Sequence, residues 1–146
     1  MQILINIVFS YLSAVGFGVI LNVPRKALNG CGCVGVLGWL IYKFMMNQHA
    51  GMVLSNLTAA LAIGLSSMFI ARFKKMPMIL FNIPSLVPLV PGGQAYRAVR
   101  NFAFGNNSEA IVYLVQVVLI AGSIAMGFFL AELVSRVYFK FRNKTE

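Results

Sequence analysis

The stretch Asn82-Ile83-Pro84-Ser85-Leu86-Val87-Pro88-Leu89-Val90-Pro91-Gly92-Gly93-Gln94-Ala95-Tyr96-Arg97 decides how the chain is organised. Three prolines and two glycines fall between positions 84 and 93, at the end of a run from Met76 to Val90 that is otherwise apolar and already carries Pro77. Each interior proline removes a backbone donor and clashes with the carbonyl four residues back, at roughly 3 kcal/mol. An unbroken helix is therefore not expected here. Pro84, Pro88 and Pro91 deprive the carbonyls of Leu80, Pro84 and Val87 of their usual donors. Irregular backbone at membrane depth survives only where protein or a water-filled cavity surrounds it, and broken helices of this kind build the sites of transporters. The competing reading is a kink that serves packing alone.

The flanks establish that a membrane is the solvent. Of 146 residues 60% are hydrophobic and 10% charged, whereas soluble domains carry about a quarter charged. Apolar runs of the roughly 20 residues needed to cross a hydrocarbon layer recur at about 3–21, 27–46, 52–71 and 110–134. Together with the broken segment at 76–91 they predict an all-α integral membrane protein, a single transmembrane domain over 1–146 with about five transmembrane helices. No basic residue precedes the first run and no small-residue cleavage pattern closes it before Asn22-Val23-Pro24-Arg25-Lys26, so it reads as a retained helix. Ser108 is a candidate N-cap for the last run, with Glu109 well placed in its first turn.

Twelve Lys and Arg against three acids give a net charge of +9. In a soluble protein this would suggest nucleic acid; here the cations form short clusters between apolar runs and act as topology determinants, so no nucleic-acid partner is expected. If the fourth segment crosses, Arg25, Lys26, Arg72, Lys74, Lys75, Arg136, Lys140, Arg142 and Lys144 share one side, against Lys43, Arg97 and Arg100 on the other. If it only dips in, the partition becomes seven against five. The nine-to-three split fits the positive-inside rule better and predicts an N-terminus outside and a cytoplasmic C-terminus.

After Gly92 and Gly93 a new helix is expected, because Ala95, Ala98, Val99, Phe102 and Ala103 fall on one face and Arg97 and Arg100 on another. Its first amides, free of side-chain cover, favour an anion, and Arg97 lies one turn on. A carboxylate is the natural ligand; alternatively Arg97 and Arg100 anchor the helix at the membrane surface by snorkelling. Glu132 stands one turn before Arg136 and reads as a local ion pair before a proton relay. Cys31 and Cys33 point to nearly opposite sides of a helix and read as packing residues; His49 belongs to a polar loop. Four-residue rows of small residues, Ser10/Ala14/Gly18, Thr58/Ala62/Ser66 and Ser123/Gly127/Ala131/Ser135, predict close helix packing, as do Gly32, Gly35 and Gly38 on one side of the second span. There is no phosphate-binding loop, nucleophile elbow, His and acid pair or metal-ligand cluster, so neither an ATPase nor another enzyme is expected, and no cofactor or metal.

Pro88-Leu89-Val90-Pro91-Gly92-Gly93 followed by Ala95-Tyr96-Arg97 resembles the threonine/serine exporter family, specifically its small-subunit type. Asn22-Val23-Pro24-Arg25, Gly38-Trp39 and the order of spans fit the same family. The resemblance covers nearly the whole chain. It implies a protein similar to the C-terminal membrane half of single-chain members, in the cell (inner) membrane, working with a separate larger subunit and forming a hetero-oligomer, with several copies of this chain allowed. The expected solute is small and anionic or zwitterionic: threonine, serine or a small dicarboxylate. Pro84, Pro88, Pro91, Gly92, Gly93, Tyr96 and Arg97 are the candidate substrate-binding residues. The alternative is a membrane scaffold or assembly partner that does not itself transport.

Overall fold

The computed structural model describes the backbone of residues 2–142 and the side chains of residues 3–137; Lys144, Glu146 and the side chains of Lys140 and Arg142 lie outside them. The described elements are α1 (Gln2–Ile20), α2 (Arg25–Asn47), α3 (Gly51–Lys74), α4 (Ile79–Leu86), a 3-10 turn (Val87–Leu89), α5 (Gly92–Ala103) and α6 (Asn107–Arg142). Four stretches are long and apolar enough to cross a membrane, Ile3–Ile20, Arg25–Asn47, Gly51–Lys74 and Asn107–Val137, and Ile79–Leu89 is a shorter apolar helix. The fold class is thus the expected one, all-helical with a fourth element broken at its prolines.

One device ends four of the helices. At Asn22, His49, Lys75 and Gly105 the backbone turns left-handed, with φ of 60°, 58°, 52° and 77°. In each case the next amide reaches back five residues, Val23 to Gly18, Ala50 to Met45, Met76 to Ala71 and Asn106 to Asn101, at 2.9 to 3.2 Å. The turning residue bonds three back, to Val19, Met46, Arg72 and Phe102. This is the Schellman arrangement, which satisfies carbonyls that a helix end otherwise strands. His49 is a loop residue as expected, and its local task is this turn. Ser108 is not the N-cap of the last helix: α6 begins one residue earlier, at Asn107, and the Ala110 amide bonds the Asn106 carbonyl at 3.1 Å.

Packing rests on missing side chains, since lipid tails offer helices no hydrophobic reason to associate and close contact must do it. A Cβ on Gly127 would lie 2.6 Å from the Leu57 carbonyl, and one on Gly64 2.5 Å from the Ala131 Cβ, so α3 and α6 nearly touch backbones. The row Ser123, Gly127 and Ala131 is buried as expected, with Ser135 half-buried beyond it. On α3 the contact row differs from the expected one. Thr58, Ala62 and Ser66 are half-buried, and Ala59, Ala60, Ile63 and Gly64 make the core, because the face turned to α2 and α6 lies one to two residues along. The glycines of α2 also serve two sides: Gly32 and Gly35 face Tyr11 and Ala14 of α1, and Gly38 faces Ile63 of α3.

These contacts fix the topology. Phe81 packs with Ile70 and Ala71 near the end of α3, Leu89 with Ala59 and Ile63 at its middle, and the Gln94 amide reaches the Met52 sulfur, 4.0 Å away, at its start. The broken segment therefore runs back along the whole of α3. Helix α6 runs parallel to α3, since Gly127 meets Leu57 and Ala131 meets Gly64. Twenty residues of α6 precede Gly127 but only six of α3 precede Leu57. At 1.5 Å per residue α6 overshoots α3 by roughly 20 Å, and α5 folds back against this overhang.

Candidate functional site

The break is chemically closed within the chain. The Leu80 carbonyl, released by Pro84, accepts the Cys31 thiol from α2, with sulfur and oxygen 3.3 Å apart. The Pro84 carbonyl, released by Pro88, accepts the Val87 amide, and the Val87 carbonyl, released by Pro91, accepts the Val90 amide at 3.3 Å. Tightening into a 3-10 turn thus supplies two of the three donors and a neighbouring helix the third. Ser85 donates to the Cys31 carbonyl at 2.8 Å, so Cys31 and α4 exchange hydrogen bonds in both directions. Cys31 is buried and Cys33 exposed, as their spacing requires, but the donor role of Cys31 goes beyond packing.

The candidate residues fall into two groups. Pro84 is fully buried and packs against Gly18 of α1, so it belongs to the bundle interior. Pro88 lines a cleft of about 350 Å³ with Val87, Asn6, Ser10, Ser13 and Trp39. Ser10 donates to the Gly35 carbonyl at 3.4 Å and Ser13 to the Ser10 carbonyl at 2.9 Å. Asn6, Ser10 and Ser13 were legible as a polar stripe, being spaced by four and three residues on one helix face, but the sequence reading took Ser10 as a packing residue and passed over Asn6 and Ser13. Asn82 opens the broken segment and carries a buried side-chain oxygen with no partner among the described residues, as does the Ser67 hydroxyl on α3. Buried polar atoms left this way are rare in folded proteins.

The second group starts α5. Pro91 stands before it, Gly92 and Gly93 are exposed, and a Cβ at either would meet nothing within 4 Å. The Gly92 amide is already engaged with the Val90 carbonyl at 2.8 Å, and the first helical bond runs from Ala95 to Pro91 at 3.0 Å. The amides of Gly93 and Gln94 lie between them at the positive end of the helix. Tyr96 is 67% exposed, and the exposed Arg97 guanidinium lies 5.7 Å from the Tyr113 ring centroid of α6. Arg100 lies similarly over Phe104, at 5.8 Å. None of Gly92, Gly93, Tyr96 and Arg97 lines the Pro88 cleft. Glu132 pairs with Arg136 in the expected way, oxygen to nitrogen 2.6 Å, on the exposed face of α6. No group of three or more His, Cys, Asp or Glu that could hold a metal occurs among the described residues.

A family model described as threonine/serine exporter, ThrE, matches residues 6–134. An uncharacterized protein of Haemophilus influenzae is 26% identical over 136 residues, covering 87% of this chain. The chain spans 46% of that relative's length. No solved structure matches.

Proposed function

We propose, from the premise that the chain belongs to the threonine/serine exporter family, that it is the membrane subunit of a secondary transporter. It moves small carboxylate-bearing solutes, of the threonine and serine class or a small dicarboxylate, out of the cell together with a larger subunit of the same family. The observation that carries this reading is the family match across a segment that carries Pro84 within α4, leaves the α-helix around Pro88 and Pro91 and starts a new helix at Gly92 and Gly93. The solute's carboxylate meets the Gly93 and Gln94 amides and Arg97, and the helix start supplies partial positive charge there. The coverage of less than half of a relative supports a partner that contributes the remainder, and several copies of this chain are compatible with it. The nine-to-three charge split supports an orientation with the N-terminus outside and the C-terminus in the cytoplasm of a cell (inner) membrane.

A second reading, a scaffold that does not transport, is favoured by one observation: Arg97 and Arg100 lie over aromatic rings as membrane-surface anchors do. Reconstitution decides between them. Vesicles holding this chain with the larger subunit should release labelled threonine, serine or succinate, and vesicles holding the complex with Arg97→Gln should release less. A verified stable complex that releases none of the three supports the scaffold.

A further inference from the structure

At the end of the bundle opposite the α2–α3 turn, α2 and α3 together form a groove of about 480 Å³. Its walls are Cys33, Phe69, Ile70 and Phe73, and its polar rim is Asn29 and Lys74. Phe73 is 91% exposed, an aromatic ring at the end of a membrane-spanning helix with nothing among the described residues to cover it. The Lys74 ammonium donates to the Lys26 carbonyl, which tethers the cation at the rim while leaving two of its three donors for another acceptor. Arg25, Lys26 and Lys75 gather at the same end, and the first turn of α2 carries no acid.

We infer that this groove binds one anionic phospholipid, with an acyl chain between Phe69, Phe73 and Cys33 and the phosphate on Lys74 and its neighbouring cations. A zwitterionic lipid fits the apolar walls equally well. Charge complementarity at the rim selects the anionic one, because cations held at a membrane surface between helices draw anionic headgroups. A bare anion fits the rim but leaves the apolar walls unfilled, so the occupant carries both chemistries. The inference is independent of which solute the protein moves.

The test uses the full chain in detergent micelles and spin-labelled phosphatidylglycerol and phosphatidylcholine with identical acyl chains, the motionally restricted fraction being read by electron paramagnetic resonance. Phosphatidylglycerol should be held in preference, and Lys74→Gln should lower its association about fivefold while leaving phosphatidylcholine unchanged. Cys33→Trp, which fills the groove from an exposed position, should remove one restricted lipid; Phe73→Ala, at a residue exposed among the described residues, should weaken retention of the same lipid with the thermal midpoint unchanged. Equal retention of the two lipids overturns the inference. So does a restricted fraction indifferent to both Cys33→Trp and Phe73→Ala, or displacement of the lipid by inorganic phosphate alone.

Discussion

Arg97 is the residue at which transport and anchoring make opposite predictions. If its guanidinium binds a carboxylate, Arg97→Lys should impair transport although the charge remains, because lysine offers a hydrated point charge in place of a planar fork. A charge-assisted hydrogen bond of roughly 1.5 to 3 kcal/mol corresponds to about ten-fold to more than hundred-fold in affinity, so Arg97→Gln should raise the half-saturation concentration by that order at equal membrane abundance. Arg100→Gln should do less, since Arg100 lies nearly a turn further from Gly93. If Arg97→Lys transports normally and Arg97→Gln changes only abundance, Arg97 is an anchor. Cys31 poses a stability question instead. Cys31→Ala strips the Leu80 carbonyl of its donor, and should cost about 0.6 kcal/mol, the usual worth of an interhelical hydrogen bond in a membrane, read as a lower thermal midpoint in detergent. Cys31→Ser should keep the donor and most of the stability. At this scale the sequence named the three orphaned carbonyls correctly, because proline's missing donor acts four residues back by covalent geometry. It was silent on Cys31 as the replacement, because that contact joins positions 49 residues apart and only the fold brings them together.

Helix ends and helix faces show the same division between local and tertiary causes. The spans at 3–21, 27–46 and 52–71 were legible to within three residues because length and hydropathy are local; α6 extends past the expected 134 to Arg142, because its more polar last turns still form helical hydrogen bonds. The left-handed turn at His49 was not legible, since only a few per cent of non-glycine residues take that conformation and nothing in Asn47-Gln48-His49 demands it. A non-glycine residue there costs roughly 1 to 2 kcal/mol, so His49→Gly should raise the thermal midpoint by an amount equivalent to about 1 kcal/mol. Glycines test the packing in the opposite sense. Gly127→Ala drives a methyl group against the Leu57 carbonyl, which cannot rotate away, and should cost about 1 to 3 kcal/mol. Gly122→Ala, on the same helix with nothing within 4 Å, should be neutral or slightly stabilising. Equal effects of the two substitutions would mean that α3 and α6 do not pack through Gly127.

At the scale of the whole molecule, the proposed orientation predicts Asn47 to His49 outside and Arg72 to Lys75 in the cytoplasm. Single cysteines in these loops, on a background of Cys31→Ser and Cys33→Ser, should differ in intact cells: an impermeant thiol reagent should label the 47–49 loop and spare the 72–75 loop. The reverse pattern inverts the orientation. The chain alone should also fail to release labelled solute from vesicles, since Glu132 is held by Arg136 on an exposed face and the other described acid, Glu109, stands in the first turn of α6; robust efflux from this polypeptide by itself would show that it encloses a complete path. Fold class was legible because composition and run length report directly on solvent, whereas the separation of Pro88 from the Gly92 to Arg97 group was not, because two neighbouring stretches can face different neighbours once a turn intervenes. One consequence concerns how such a protein is made. The Ile79–Leu89 helix is about 16 Å long, half the thickness of the hydrocarbon layer, and its Leu80 carbonyl is satisfied only by a residue of α2. In lipid alone that carbonyl has no donor, so stable integration of this segment should await α2, and its insertion becomes an act of folding.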